Sequence, residues 1–314
     1  MVKRDLHELW EKYKIKIYIV ISIILVICFL VVLFTNYFSS QEKNENNDNT
    51  VQSVYQPSKT VIKGEEVKKK KYEDDAKIIK NFMDFCNNND VRNAYELLTD
   101  DCKKNEYKTL QDFKDKFYTQ IYTKKRNYNI QSWINNSEFT TYKVRITDDI
   151  LATGDYSSSV KFETYITTYK DENKDKISIG EFLYEKKLKT KDDSNIVDVI
   201  SLRQRIYKSK EVYVITIKNI SKNRILLYDK KETSSIRLYG GGSAYEPYYD
   251  KLINNNYLLE VGETVEITLS FDKSAGSNNK SSYINIKNVV EDYDKYIQNI
   301  NDYKEERGTI KISF

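Results

Sequence analysis

Residues 17–35 read IYIVISIILVICFLVVLFT, with no charged side chain. No other stretch limits the fold of the chain as strongly. At 1.5 Å per residue such a run makes a helix of about 28 Å, close to the ~30 Å hydrocarbon core of a bilayer. Lys3, Arg4, Lys12, Lys14 and Lys16 lie ahead of it, whereas Lys43 is the first cation after it. The positive-inside rule then puts the N-terminus in the cytoplasm and the later residues outside. A cleaved signal peptide would have a shorter apolar region ending in small residues, and NYFSSQ is a poor cleavage site. The expectation is a single-pass cell-membrane protein with a cytoplasmic tail (1–16) and a transmembrane helix (17–35). A polar, disordered stalk follows over 36–72, with no period of either kind.

The chain of 314 residues leaves room for about two domains. From residue 73 the pattern is helical. Ile78, Ile79, Phe82, Met83, Phe85 and Cys86 make one apolar face. Asp90 is placed to cap VRNAYELL, and Thr109 to cap LQDFKDKFYTQIY. The period then changes to two, in NYNIQSWI, EFTTYKVRI, SSVKFETYITTY and KISIGEFLYEKKL. Helices followed by an antiparallel meander form an α+β layer pattern. In AYELLTDDCKK (94–104), the helix of Phe113 and Phe117, and the long hairpin at 156–187, the stretch 73–195 resembles the nuclear transport factor 2-like fold, a cone of sheet around helices. Extracytoplasmic domains of that kind on one anchor resemble the scaffold proteins of conjugative transfer and type IV secretion. That resemblance implies an assembly role rather than catalysis.

Residues 196–314 read as short strands: VYVITIKNI, RILLYD, SIRLYG, YLLEV, TVEITLSF, SYINIKNV and TIKISF. Val261-Gly262-Glu263-Thr264 is a tight turn, and Val290, Tyr293, Ile297 and Ile300 suggest a short helix before the last strand. The pattern resembles an immunoglobulin-like β-sandwich, without the cysteine pair or core Trp of antibody domains. The expected fold class is therefore α+β: a transmembrane helix, a cone-like helix-plus-sheet domain, then an all-β sandwich.

The composition excludes much chemistry. His7 is the only histidine and falls in the expected cytoplasmic tail, so no Ser–His or Cys–His device is available outside. Fifty-one cations against 47 anions leave a charge of +4, which gives no footprint for nucleic acid. Cys86 and Cys102 are either a disulfide or two buried thiols, since spacing does not fix the Cα distance a bridge requires. Asp171, Asn173 and Asp175 match a calcium loop, but Lys176 replaces its turn glycine and Phe182 its bidentate Glu, so the stretch reads as a hairpin turn. Gly240-Gly241-Gly242 lacks the Lys-Ser/Thr of a phosphate loop and reads as a mobile loop. With Tyr245, Tyr248 and Tyr249 it is a candidate contact loop. Asp100/Asp101, Asp148/Asp149 and Asp192/Asp193 read as turn residues.

No catalytic, cofactor-binding or metal-ligating residues follow from these patterns, and no cofactor is expected. The chain reads as a non-enzymatic, membrane-anchored binding or assembly protein with protein partners outside the membrane, able to form a homo-oligomer. The alternative is a receptor or carrier that holds a small ligand in the cavity of the cone.

Overall fold

The computed structural model describes residues 66–148, 162–170, 172–192, 194–229, 235–248, 257–277, 280–298 and 307–314. The expected tail, transmembrane helix and most of the stalk lie outside these residues. Among the described residues no helix is long and apolar enough to cross a membrane.

Helix α1 (Lys69–Asn87) opens the described fold. Val67 and Tyr72 are already buried in the core, so folded structure begins inside the stretch read as stalk. The turns after it are short: α2 (Val91–Glu96), α3 (Asp100–Asn105), α4 (Leu110–Phe113), a π-helical turn (Lys114–Tyr118) and α5 (Thr119–Ile121). Asp90 caps α2, accepting from the Asn93 amide. Thr109 caps α4 in a reciprocal box with Asp112. The single helix expected over 110–122 is broken by the π-helical turn.

A four-stranded antiparallel sheet follows, in the order β1 (Arg126–Asn135), β2 (Phe139–Asp148), β3 (Phe162–Tyr169), β4 (Ile177–Ile179). Ile130, Tyr142, Val144, Ile146 and Ile166 pack one face against Phe82, Phe113 and Phe117 of the helical part. Trp133, Phe139, Tyr165 and Tyr169 on the other face form a second cluster with Leu183 and Ile206. Both faces are covered, which is why Thr164 to Tyr169 are buried without alternation.

KISIGEFLYEKKL, expected as one strand, is two. Gly180 lies at φ +88°, a conformation other residues rarely adopt, and there the chain leaves the first sheet. Beyond it β5 (Phe182–Leu188) pairs with β7 (Val197–Tyr207) in a sheet ordered β13-β8-β7-β5, with β8 (Glu211–Asn219) and β13 (Thr264–Phe271). A five-stranded sheet runs β11-β10-β14-β15-β6, made of β11 (Ser243–Tyr245), β10 (Ile236–Gly240), β14 (Ser281–Val289), β15 (Gly308–Ser313) and β6 (Lys191–Asp192). β9 (Ile225–Leu226) and β12 (Leu258–Leu259) form a short pair. Both larger sheets bury Val, Ile and Leu side chains in one aliphatic core, among them Leu202, Ile215, Ile284 and Ile310. The short helix expected before the last strand is α6 (Tyr293–Gln298).

These observations correct the expected fold class. Strand accounts for about 46% of the described residues and helix for 23%, so the described structure is mainly β rather than a helix-plus-sheet cone. Two causes are visible. The helical segments after α1 hold only three to six residues each. The longest strand, β7, carries a bulge between Val199 and Ser201 that hides its alternation and turns Ile200 outward.

Candidate functional site

The outer face of the five-stranded sheet carries the polar recess of interest. In β10, Ile236 and Leu238 point into the aliphatic core, which by the two-residue period turns Arg237 and Tyr239 outward. In β14, Ile284 and Ile286 point inward, leaving Tyr283, Asn285 and Lys287 on the same outer side. Register places Arg237 opposite Asn285, and Tyr239 opposite Tyr283. Ser235, Arg237, Tyr239, Asn285 and Lys287 line a recess of about 240 Å³.

Three polar atoms there are buried and lack a hydrogen-bond partner: Ser235 Oγ, Arg237 Nε and Asn285 Oδ1. Ser235 as a whole is 1% exposed. A buried polar group left unpaired costs about 1–3 kcal/mol. Three in one recess mark a surface that a polar ligand would complete. Nη2 of Arg237 donates to Glu246 Oε1 at 3.0 Å, while its Nε is buried and unpartnered. Tyr239 and Tyr283 stack at 4.7 Å with 12° between their planes, and the Lys311 ammonium lies 4.7 Å from the Tyr283 ring centre. The stack holds this side of the recess in place.

Ser270 Oγ, outside the recess, is also buried and unpartnered, whereas several larger polar groups have their needs met inside the fold. Glu211, 4% exposed, accepts from Lys273, from Gln204 Nε2 at 2.9 Å, from the Tyr213 hydroxyl at 2.7 Å and from Ser281 Oγ at 2.9 Å. Asp75, on α1, accepts from Lys71 and from the Tyr142 hydroxyl at 2.7 Å. Burial raises its carboxyl above the ordinary 3.8, against the lowering effect of Lys71 and Tyr142. Ser178 bonds Tyr169 and, at 3.0 Å, Thr99, whose hydroxyl also caps α3 by accepting from the Cys102 amide. Arg126 and Asp148 form a buried pair, joined by Lys124. These networks tie elements together and have little left to offer a ligand.

The sequence-derived candidates fall elsewhere. Of the two alternatives for Cys86 and Cys102, the structure has two free thiols, both buried. Burial pushes the Cys102 thiol up to about 12 and raises that of Cys86 as well. Gly241 and Gly242, at φ +55° and +82°, form a two-residue turn that closes the β10–β11 hairpin. Tyr245 sits on β11 against the aliphatic core. Tyr248 is 39% exposed and its amide donates to Ser270 O, while Tyr249 lies outside the described residues. Of the former calcium-like stretch, residues 172–176 lie between β3 and β4, which pair antiparallel, and Ile177–Ile179 form β4 itself. Asp148 proves to be an ion-pair partner rather than a turn residue. Among the described residues no three His, Cys, Asp or Glu side chains gather as a metal site would require.

Ser235, Arg237, Asn285 and Lys287 were not legible as a site. Their signal is the outward half of SIRLYG and SYINIKNV, which reads as an ordinary solvated strand face. No family model, curated protein or solved structure matches the chain.

Proposed function

We propose that the chain is a non-enzymatic binding protein that uses the outer face of its five-stranded sheet as the recognition surface. The observation that supports this reading is the trio of unpartnered buried atoms, Ser235 Oγ, Arg237 Nε and Asn285 Oδ1, in one recess. The buried carboxylates, by contrast, are held by neighbouring donors, which supports structural over catalytic use. A cone cavity is a weaker place for a ligand, because Phe82, Phe113 and Phe117 fill the core between helices and sheet. Placement outside the cytoplasm, expected from the charge asymmetry around residues 17–35, is the setting of this proposal. The transfer-apparatus role came with the cone resemblance and gains no support from the fold.

Paired photo-crosslinks test it. A photoreactive residue at exposed Lys311, opposite Asn285 in register and outside the recess lining, is compared with one at exposed Lys218 on β8. The expected result in intact cells is an adduct at 311 that Arg237→Gln abolishes, with none at 218. Equal labelling at both positions, or an adduct at 311 indifferent to Arg237, would overturn the reading.

A further inference from the structure

The recess also constrains what it binds, and this inference rests on the binding-surface reading above. Its volume of about 240 Å³ lies below the ~300–1,000 Å³ of pockets for drug-sized ligands, so it suits a single sugar-sized unit. Three groups are donors: the Arg237 Nε–H, the Ser235 hydroxyl and the Lys287 ammonium. Arginine and lysine together favour an anionic oxygen, because hydrogen bonds to charged groups are shorter and stronger than neutral ones. A bare inorganic anion would not satisfy the set, since Asn285 Oδ1 is an unpartnered acceptor and calls for an O–H or N–H on the ligand. Tyr239 adds an apolar wall with a polar tip. Glu246, paired with the outer edge of the Arg237 guanidinium, places a carboxylate at the rim and disfavours ligands anionic on all sides.

We infer that the recess takes a hydroxylated anion of about monosaccharide size, a sugar phosphate or a uronate, with the anionic group on Arg237 and Lys287 and a hydroxyl on Asn285. The same chemistry can come from a free metabolite or from one unit of an acidic polysaccharide.

Calorimetric titration of the full chain with glucose 6-phosphate, glucuronate, a galacturonate oligomer, glucose and inorganic phosphate tests this. The phosphate- or carboxylate-bearing sugars should bind, and glucose and inorganic phosphate should bind at least about tenfold more weakly, the value of one charge-assisted hydrogen bond. A monomer that binds as tightly as the oligomer indicates a free source, and a tighter oligomer indicates a polymer; both support the ligand class. Arg237→Gln should weaken binding by about tenfold or more, and Asn285→Leu by about fivefold. Lys218→Gln should leave binding unchanged. The thermal midpoint of each variant checks folding, and Ser235→Ala, which removes only one oxygen, supplies a second, milder variant with the same direction. Glucose binding as well as glucose 6-phosphate, no binding by any charged sugar, or wild-type affinity in a folded Arg237→Gln chain would overturn the inference. If the sugars fail while the crosslink at 311 still depends on Arg237, only the ligand class is lost. If both fail, the binding-surface reading falls as well.

Discussion

The helix-backed sheet β1–β4 and the two aliphatic β-sheets solve the burial problem in opposite ways. The first is covered on both faces and uses rings. Phe113 stacks on Phe117 at 5.5 Å and meets Tyr107 edge-on at 5.6 Å, with Phe82 beside Phe117 at 5.9 Å. Its polar groups, such as Asp75, Thr99 and Ser178, are turned inward and satisfied there. The second region packs mostly Val, Ile and Leu between its sheets, with Tyr213 and Phe271 among them, and leaves Arg237, Tyr239, Tyr283 and Asn285 half-buried on the outer face of β10 and β14. Covering both faces uses up a sheet's polar groups; leaving one face open lets a recess collect polar atoms with nothing to bind. The contrast teaches that the place to look for recognition here is the plainer sheet, not the aromatic core.

Substitutions and measurements probe that contrast, beginning with the largest expected effect. Phe113→Ala should cost about 3–5 kcal/mol, because it opens a cavity among rings that cannot close in. Tyr239→Ala on the open face should cost about 1 kcal/mol, the value of one ring pair. Chemical denaturation measures both, and equal costs would erase the distinction between a filled core and an open face.

Glu211→Ala should cost about 3 kcal/mol, since it strands the Lys273 ammonium, 4% exposed, without its carboxylate. Replacing both, Glu211→Leu with Lys273→Met, should recover most of that loss. A double variant no better than the single one would show that the network, rather than the stranded charge, carries the stability.

Asp75 gives a smaller, pH-dependent effect. Its raised carboxyl means that the folded chain holds a proton there at pH values where the unfolded chain has lost it. Stability contributed by this group therefore falls as pH rises from the ordinary 3.8 through the raised folded value. Asp75→Asn should flatten that part of the stability–pH curve. An unchanged slope would mean that Lys71 and Tyr142 compensate the burial fully.

The thiols carry the smallest effect on stability and the clearest chemistry. Cys86 and Cys102, free and with raised thiols, should resist alkylation at pH 8 in the folded chain and react fully in denaturant. A bridged pair that reacts only after reduction would restore the disulfide reading.

Much of this fold was legible where local rules suffice. Asp90 and Thr109 cap as their residue types suggest, and β10 and β15 alternate in burial with the two-residue period. The failures were not local. Gly180 sends one apparent strand into two sheets, a choice made by pairing partners distant in sequence. The bulge in β7 breaks the alternation of the longest strand, leaving Ile200 54% exposed. The site was invisible for a related reason. Arg, Tyr, Asn and Lys on alternate positions look like any solvated face until register sets Arg237 beside Asn285 and burial removes water from their polar atoms.

Hydrogen–deuterium exchange with and without glucose 6-phosphate tests the central claim most directly, because it reads both regions in one experiment. The account predicts added protection confined to residues 235–240 and 281–289, lost in Arg237→Gln. Protection appearing instead in the helices around Phe113 and Phe117, with the outer face of β10 and β14 unchanged, would contradict it.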